Sequence, residues 1–182
     1  MTELWQKTAR EMVDLLAKGE IRPKEAIDAA AERIAATNGA VNAMVTLCLE
    51  RAYAAAARIE TEGHPEQPGP GYLYGLPVSI KDLHHVEGVL CTQGSPIYAD
   101  HISVESDLEV RTLEANGAIV IGKSNTPEFG AGANTFNEVF GATRNPWDTR
   151  MNAGGSSGGA AVNLATSEYL YTWHPIYQCT RT

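Results

Sequence analysis

A chain of 182 residues, 43% hydrophobic and 20% charged, is long enough for one domain with a sizeable core. Its net charge of -8 argues against non-specific nucleic-acid binding and against a basic membrane-docking face. Residues 1–6 show no secretory signal and no apolar run reaches bilayer length, so a soluble, cytoplasmic protein is expected.

From residue 2 to 18, Trp5, Ala9, Met12, Val13 and Leu16 fall at helical spacing, with Gly19 as the stop. Pro23 at a first-turn position predicts a second helix, carrying Ala26, Ile27, Ala30 and Ile34 on one face and ending at Asn38-Gly39. Residues 43–47 read as a short extended run, and the alanine-rich stretch 50–62 is helical by propensity. Glycine and proline crowd residues 63–71, the clearest break in the chain. The expected organisation is a helical N-terminal layer over 1–62, a loop over 63–72, an α/β core over 73–166 and a tail over 167–182.

The second half alternates. Residues 76–80 read as a strand and 107–116 as an amphipathic helix closed by Gly117. Residues 118–121, apolar and β-branched, read as a buried strand, with Gly122-Lys123-Ser124-Asn125 at its end, where α/β sheets place ligands. Thr126-Pro127-Glu128-Phe129 looks like a helix start, and the glycine–serine run over 154–159 opens a last helix through Ala160 to about Thr166. The fold class is α/β, with partly parallel pairing in a mixed sheet flanked by helices.

Gly154-Gly155-Ser156-Ser157-Gly158-Gly159 opens that last helix and is the feature richest in chemistry. Glycines allow close backbone approach, and a helix start offers free N–H groups; the combination suits an oxyanion or a phosphate. Either serine could join proton transfer, although a glycine–serine run is also the composition of a plain flexible loop. Lys81 is the candidate base. Strand alternation places Ser79 and Lys81 opposite Val78 and Ile80, and burial there lowers an amine's pKa. The competing expectation is a strand-end lysine pointing to water and paired with Asp82. His84 and His85 read as surface residues, with no third ligand at metal spacing. Cys48, Cys91 and Cys179 are odd in number and lack CxxC spacing, so no disulfide framework or zinc site is indicated. Gly122-Lys123-Ser124 lacks the spacing of a phosphate loop.

Five segments in order resemble the amidase signature family: Gly75-Leu76-Pro77-Val78-Ser79-Ile80-Lys81-Asp82; Cys91-Thr92-Gln93-Gly94-Ser95; Gly122-Lys123-Ser124-Asn125-Thr126-Pro127-Glu128-Phe129; Phe140-Gly141-Ala142-Thr143-Arg144-Asn145-Pro146-Trp147-Asp148; and the glycine–serine run. The similarity extends over about residues 2–166. It implies an amidase-signature-like α/β fold, hydrolysis of carboxylic amides through an acyl-serine, and no metal or cofactor. Carried over, Lys81 is the base and Ser156 the bridging serine, preceded by a cis peptide at Gly155–Ser156. Gly154, Gly155, Ser157 and Gly158 become supporting or substrate-binding residues.

The tail departs from the family pattern. The resemblance places a nucleophilic serine some two dozen residues beyond Ser156, in a Gly-Gly-Ser segment that supplies the oxyanion hole. Here Thr180 falls near that place, with Gln178-Cys179 before it, so no nucleophile is assigned. A shift of reading frame after about Thr166 is the expectation for the abrupt change, leaving a truncated, incomplete domain. Three functions follow: an amide hydrolase acting on a small-molecule amide, a catalytically dead fragment that binds a partner, or a small-molecule or phosphate-binding module. An amidotransferase component of the same family is a further alternative, and a homo-oligomer stays open.

Overall fold

The computed structural model describes residues 3–167 and the backbone of 172–173. Helix α1 spans Ala9–Ala17 and is preceded by a 3-10 turn over Leu4–Gln6, so the helix expected over 2–18 is two pieces. Thr8 causes the division. It is extended (φ -73°, ψ 159°), its hydroxyl accepts from the Glu11 N–H, and the Glu11 carboxylate accepts from the Thr8 N–H. That capping box starts a new helix at this position.

Helix α2 spans Pro23–Val41 and runs through the expected stop at Asn38-Gly39. The Asn38 side chain is occupied beyond the helix. Its Oδ1 accepts from the Ala43 and Met44 N–H groups and its amide donates to the Met44 carbonyl, which fastens the turn into β1. The stop falls on Asn42, left-handed at φ 52°. Strand β1 spans Met44–Leu47 and α3 spans Leu49–Glu62.

The central strands follow. β2 spans Pro77–Lys81, α4 spans Leu108–Ala115 and β3 spans Ile119–Ser124. The Gly122-Lys123-Ser124 segment, expected at the strand's end, lies inside it. β2 and β3 are parallel, with Lys81 opposite Ser124 and a register shift between Val78 and Ser79. β1 pairs antiparallel on the far side of β3. Two small hairpins come next: β4 (Phe136–Asn137) with β5 (Gly141–Ala142), and β6 (Arg144–Asn145) with β7 (Asp148–Asn152). Instead of a helix start at Thr126–Phe129 there is a single 3-10 turn, Glu128–Gly130, with Phe129 left-handed at φ 51°.

Helix α5 spans Gly158–Ala165 and so begins within the glycine–serine run, as expected from the sequence. β8, the backbone of Thr172–Trp173, pairs parallel with β2 and gives the sheet order β1-β3-β2-β8. The sheet is mixed and helices flank it, as the α/β expectation requires.

Alternation along the strands divides the core. Val78, Ile80 and Val120 pack with Met12, Leu16, Val110 and Leu113 of α1 and α4. Ile119 and Ile121 pack with Ile27, Ile34, Ala52 and Ala56 of α2 and α3. Helix α5 lies against β2 and β3. Its Gly159 packs so closely that a Cβ there would stand 2.5 Å from the Asn125 backbone nitrogen.

Candidate active site

The last residue of β2 meets the start of α5. Lys81 is 1% exposed, and its Nζ donates to Ser156 Oγ at 2.9 Å and to Ser157 Oγ at 3.3 Å. Burial pushes the Lys81 amine down to about 8. A neutral amine therefore becomes accessible at mildly alkaline pH, the state a proton acceptor needs. The expectation of Lys81 facing water and pairing with Asp82 is not met. The lysine turns toward the serines, and Asp82 pairs with Lys123 on the reverse of the strand.

The serines are placed by backbone more than by side chains. Asn152 Oδ1 accepts from the Gly154 N–H at 2.9 Å, and Gly154 is left-handed at φ 75°. Gly155 runs close along residue 134, where a Cβ would lie 3.0–3.1 Å from the Asn134 backbone. The Gly155–Ser156 peptide is cis. Ser157 is the N-cap residue of α5, and the Gly158 N–H donates to Thr135 Oγ1 at 2.9 Å. All six residues singled out in the sequence (Lys81, Gly154, Gly155, Ser156, Ser157 and Gly158) thus lie in one place. Ser156 and Ser157 are half-buried.

Three participants were not assigned as site residues from the sequence, although Lys123 and Asn125 fall in the Gly122-Lys123-Ser124-Asn125 segment. Thr135 precedes Gly158 by 23 residues and receives its N–H. Asn125 donates to Thr143 Oγ1 at 3.0 Å and accepts from Asn137 at 2.7 Å, tying the end of β3 to the first hairpin. Lys123 is 0% exposed and bonds Asp82 Oδ1 at 3.2 Å and the His84 carbonyl at 2.8 Å. Chain separation hides such pairs, because spacing reports only neighbours along an element.

The histidine expectation is corrected in part. His84 is half-buried, and its Nδ1 lies 2.5 Å from Glu109 Oε1 and 3.7 Å from Asp107 Oδ2 at the start of α4. Among the described residues these three are the group close enough to hold a cation. Asp107 Oδ2 also accepts from the His85 N–H at 3.0 Å, so the cluster fastens α4 to the Lys81 corner. The expected vacancy at the nucleophile position concerns Gln178, Cys179 and Thr180, which lie outside the described residues, as do most of the tail and its proposed frame shift. Among the described residues no helix is long and apolar enough to cross a membrane.

At this corner an α/β sheet brings a buried lysine within hydrogen-bond distance of two serines at a Gly-Gly-Ser-Ser helix start. Residues 25–171 match the family described as Amidase, and the chain belongs to that family. A glutamyl-tRNA(Gln) amidotransferase subunit from Moorella thermoacetica is 40% identical over 170 residues, 93% of this chain and 34% of that protein. A bacterial aryl acylamidase of the amidase signature family superposes with a TM-score of 0.81 at 30% identity, over 90% of this chain and 34% of its own. A 6-aminohexanoate cyclic dimer hydrolase gives 0.78 at 30% identity, over 93% and 33%. The chain spans about a third of the length of the curated relatives it matches.

Proposed function

We propose that this chain carries the base and the bridging hydroxyl of an amide-hydrolysing serine relay. The observation that carries it is the 2.9 Å contact between Ser156 Oγ and a lysine whose burial brings its pKa to about 8. With Lys81 neutral, the Ser156 hydroxyl donates to the Nζ lone pair. Ser156 then accepts the proton of an attacking serine, and Lys81 stores the proton as its ammonium. When the tetrahedral intermediate collapses, the proton returns through Ser156 to the departing nitrogen. Water completes the cycle, converting a carboxylic amide to a carboxylate and ammonia or an amine. Gly154, Gly155, Ser157 and Gly158 support the reactant along the helix start, where N–H groups favour developing negative charge.

The substrate in this reading is a small-molecule amide, the location is cytoplasmic and no cofactor takes part. The relatives named as glutamyl-tRNA(Gln) amidotransferase subunits favour a second reading, with glutamine as the amide inside a larger assembly. A dead fragment is the third.

Ammonia or amine release from aliphatic amides, aryl amides and glutamine separates these. Turnover should fall by about 10²–10⁴-fold in both Lys81→Ala and Ser156→Ala. Turnover that survives either substitution refutes the relay, preference for glutamine selects the second reading, and silence on every amide selects the dead fragment.

A further inference from the structure

The acidic neighbour of Lys81 poses a problem for a lysine base. Asp82 follows it directly in the chain, and a carboxylate turned toward an amine favours the ammonium form. Among the described residues, Lys81 meets two hydroxyls and no carboxylate, and burial is the cause of its lowered pKa. Something therefore holds the Asp82 charge away from it.

The reverse of the strand shows what does so. Asp82 is 0% exposed, and its Oδ2 accepts from Thr92 Oγ1 at 2.5 Å. The Thr92 N–H reaches both carboxylate oxygens at 3.3 Å. Lys123 Nζ completes the set on Oδ1 at 3.2 Å and supplies the balancing charge. The same Nζ donates to the His84 carbonyl at 2.8 Å, and the His84 N–H donates to the Lys81 carbonyl at 3.1 Å. The Asp82 N–H donates to the Ser124 carbonyl at 2.9 Å, which prolongs the β2–β3 ladder past Lys81. Lys123 thus engages both the side chain and the main chain of the corner that follows the base.

We propose that Lys123 is a positioning residue for Lys81: by occupying and neutralising the Asp82 carboxylate behind β2, it leaves the Lys81 amine with hydroxyl partners alone. This rests on the reading of Lys81 as a base. From the α5 side Lys81 meets Ser156 and Ser157, and β3 brings Ser124 into register beside it. The adjoining titratable groups are Asp82 and Lys123, with His84, Asp107 and Glu109 beyond the turn. Removing the Lys123 charge leaves the Asp82 carboxylate with its Thr92 donors and no balancing cation. That anion then stabilises the Lys81 ammonium.

The test is a ¹³Cε titration of the lysines in the 182-residue chain, which has five of them, with Lys81 assigned through Lys81→Met. In the native chain the Lys81 midpoint is low. In Lys123→Gln, which keeps a hydrogen-bond donor and loses the charge, the midpoint rises by about one pH unit or more. Lys123→Arg restores the native midpoint. The double variant Asp82→Asn/Lys123→Gln, with neither charge, also titrates as the native chain does. A folded Lys123→Gln with an unmoved Lys81 midpoint overturns the proposal, because a purely structural lysine alters stability alone. Should Lys123→Gln fail to fold, the double variant decides, and a midpoint raised there by about a unit overturns it equally. An ordinary midpoint for Lys81 in the native chain defeats the base reading itself, which keeps the two failures apart.

Discussion

At the scale of single residues, a buried lysine destabilises the fold that uses it. The Lys81 pKa is lowered from 10.5 to about 8, so the folded state disfavours the ammonium while the unfolded chain does not. Below pH 8 both states hold the proton and the folded protein bears the full cost of burying it. Between about pH 8 and 10.5 the folded state sheds the proton first, and stability rises with pH as that cost disappears. The shift corresponds to about 3 kcal/mol at most. Lys81→Met removes the charge and two hydrogen bonds together, so its net stabilisation at pH 7 should be about 1–3 kcal/mol. Urea melts at pH 7 and above pH 10 check this: the gap between variant and native chain closes at the higher pH. A Lys81→Met chain that is less stable at every pH contradicts it. Alternation placed Lys81 opposite Val78 and Ile80, but its partner stands 75 residues away. Only the resemblance to a known family joined Lys81 to Ser156. Lys123 stood in a recognisable segment, but its pairing with Asp82, like that of Thr135 with Gly158, was hidden because spacing along one element does not reach the partner.

At the scale of elements, identical substitutions take opposite signs according to what surrounds them. Gly39 lies in the last turns of α2, and nothing stands within 4 Å of where an added Cβ would sit. Gly39→Ala should therefore gain the helix preference of alanine, about 0.5–1 kcal/mol. Gly159 sits in the first turn of α5, where a Cβ would lie 2.5 Å from Asn125 N, 2.6 Å from Asn125 O and 3.0 Å from Ala43 O. These are backbone atoms of β3's end and the turn into β1, and they cannot swing aside. Overpacking exceeds the propensity gain, and Gly159→Ala should lose about 1–3 kcal/mol. Chemical denaturation of both variants checks the pair, and equal signs refute the packing account. Element types were readable from propensity, as in α3, and from amphipathic spacing and a glycine stop, as in α4. Ends were harder. Asn38 looked like a stop, yet its side chain is spent on β1, and Thr8 broke a helix that the apolar spacing alone continued.

At the scale of the whole molecule, β3 belongs to both sides of the core. Val78, Ile80 and Val120 join the cluster under α1 and α4, while Ile119 and Ile121 join the one under α2 and α3. Neither side keeps its core if the other opens, so the described residues should unfold as one cooperative unit. The β6–β7 hairpin stands outside that coupling. Thr149, Arg150 and Met151 are exposed, Trp147 is 81% exposed, and the strands carry no residue of the two large clusters. Local opening there costs few apolar contacts, whereas opening at Ile80 or Val120 requires the global transition. Amide exchange in the native state should therefore be about a thousandfold slower at Ile80, Val120 and Ile121 than at Thr149–Met151. The hairpin leads through Asn152 to the Gly154 N–H, so its motion ends one hydrogen bond from the serines. Asn152→Ala should leave protection at Ile80 unchanged and speed exchange at Gly154, since the bond it removes joins the loose hairpin to the rigid helix start. Faster exchange at Ile80 in that variant would mean that hairpin and sheet open together, and the separation drawn between them would fail.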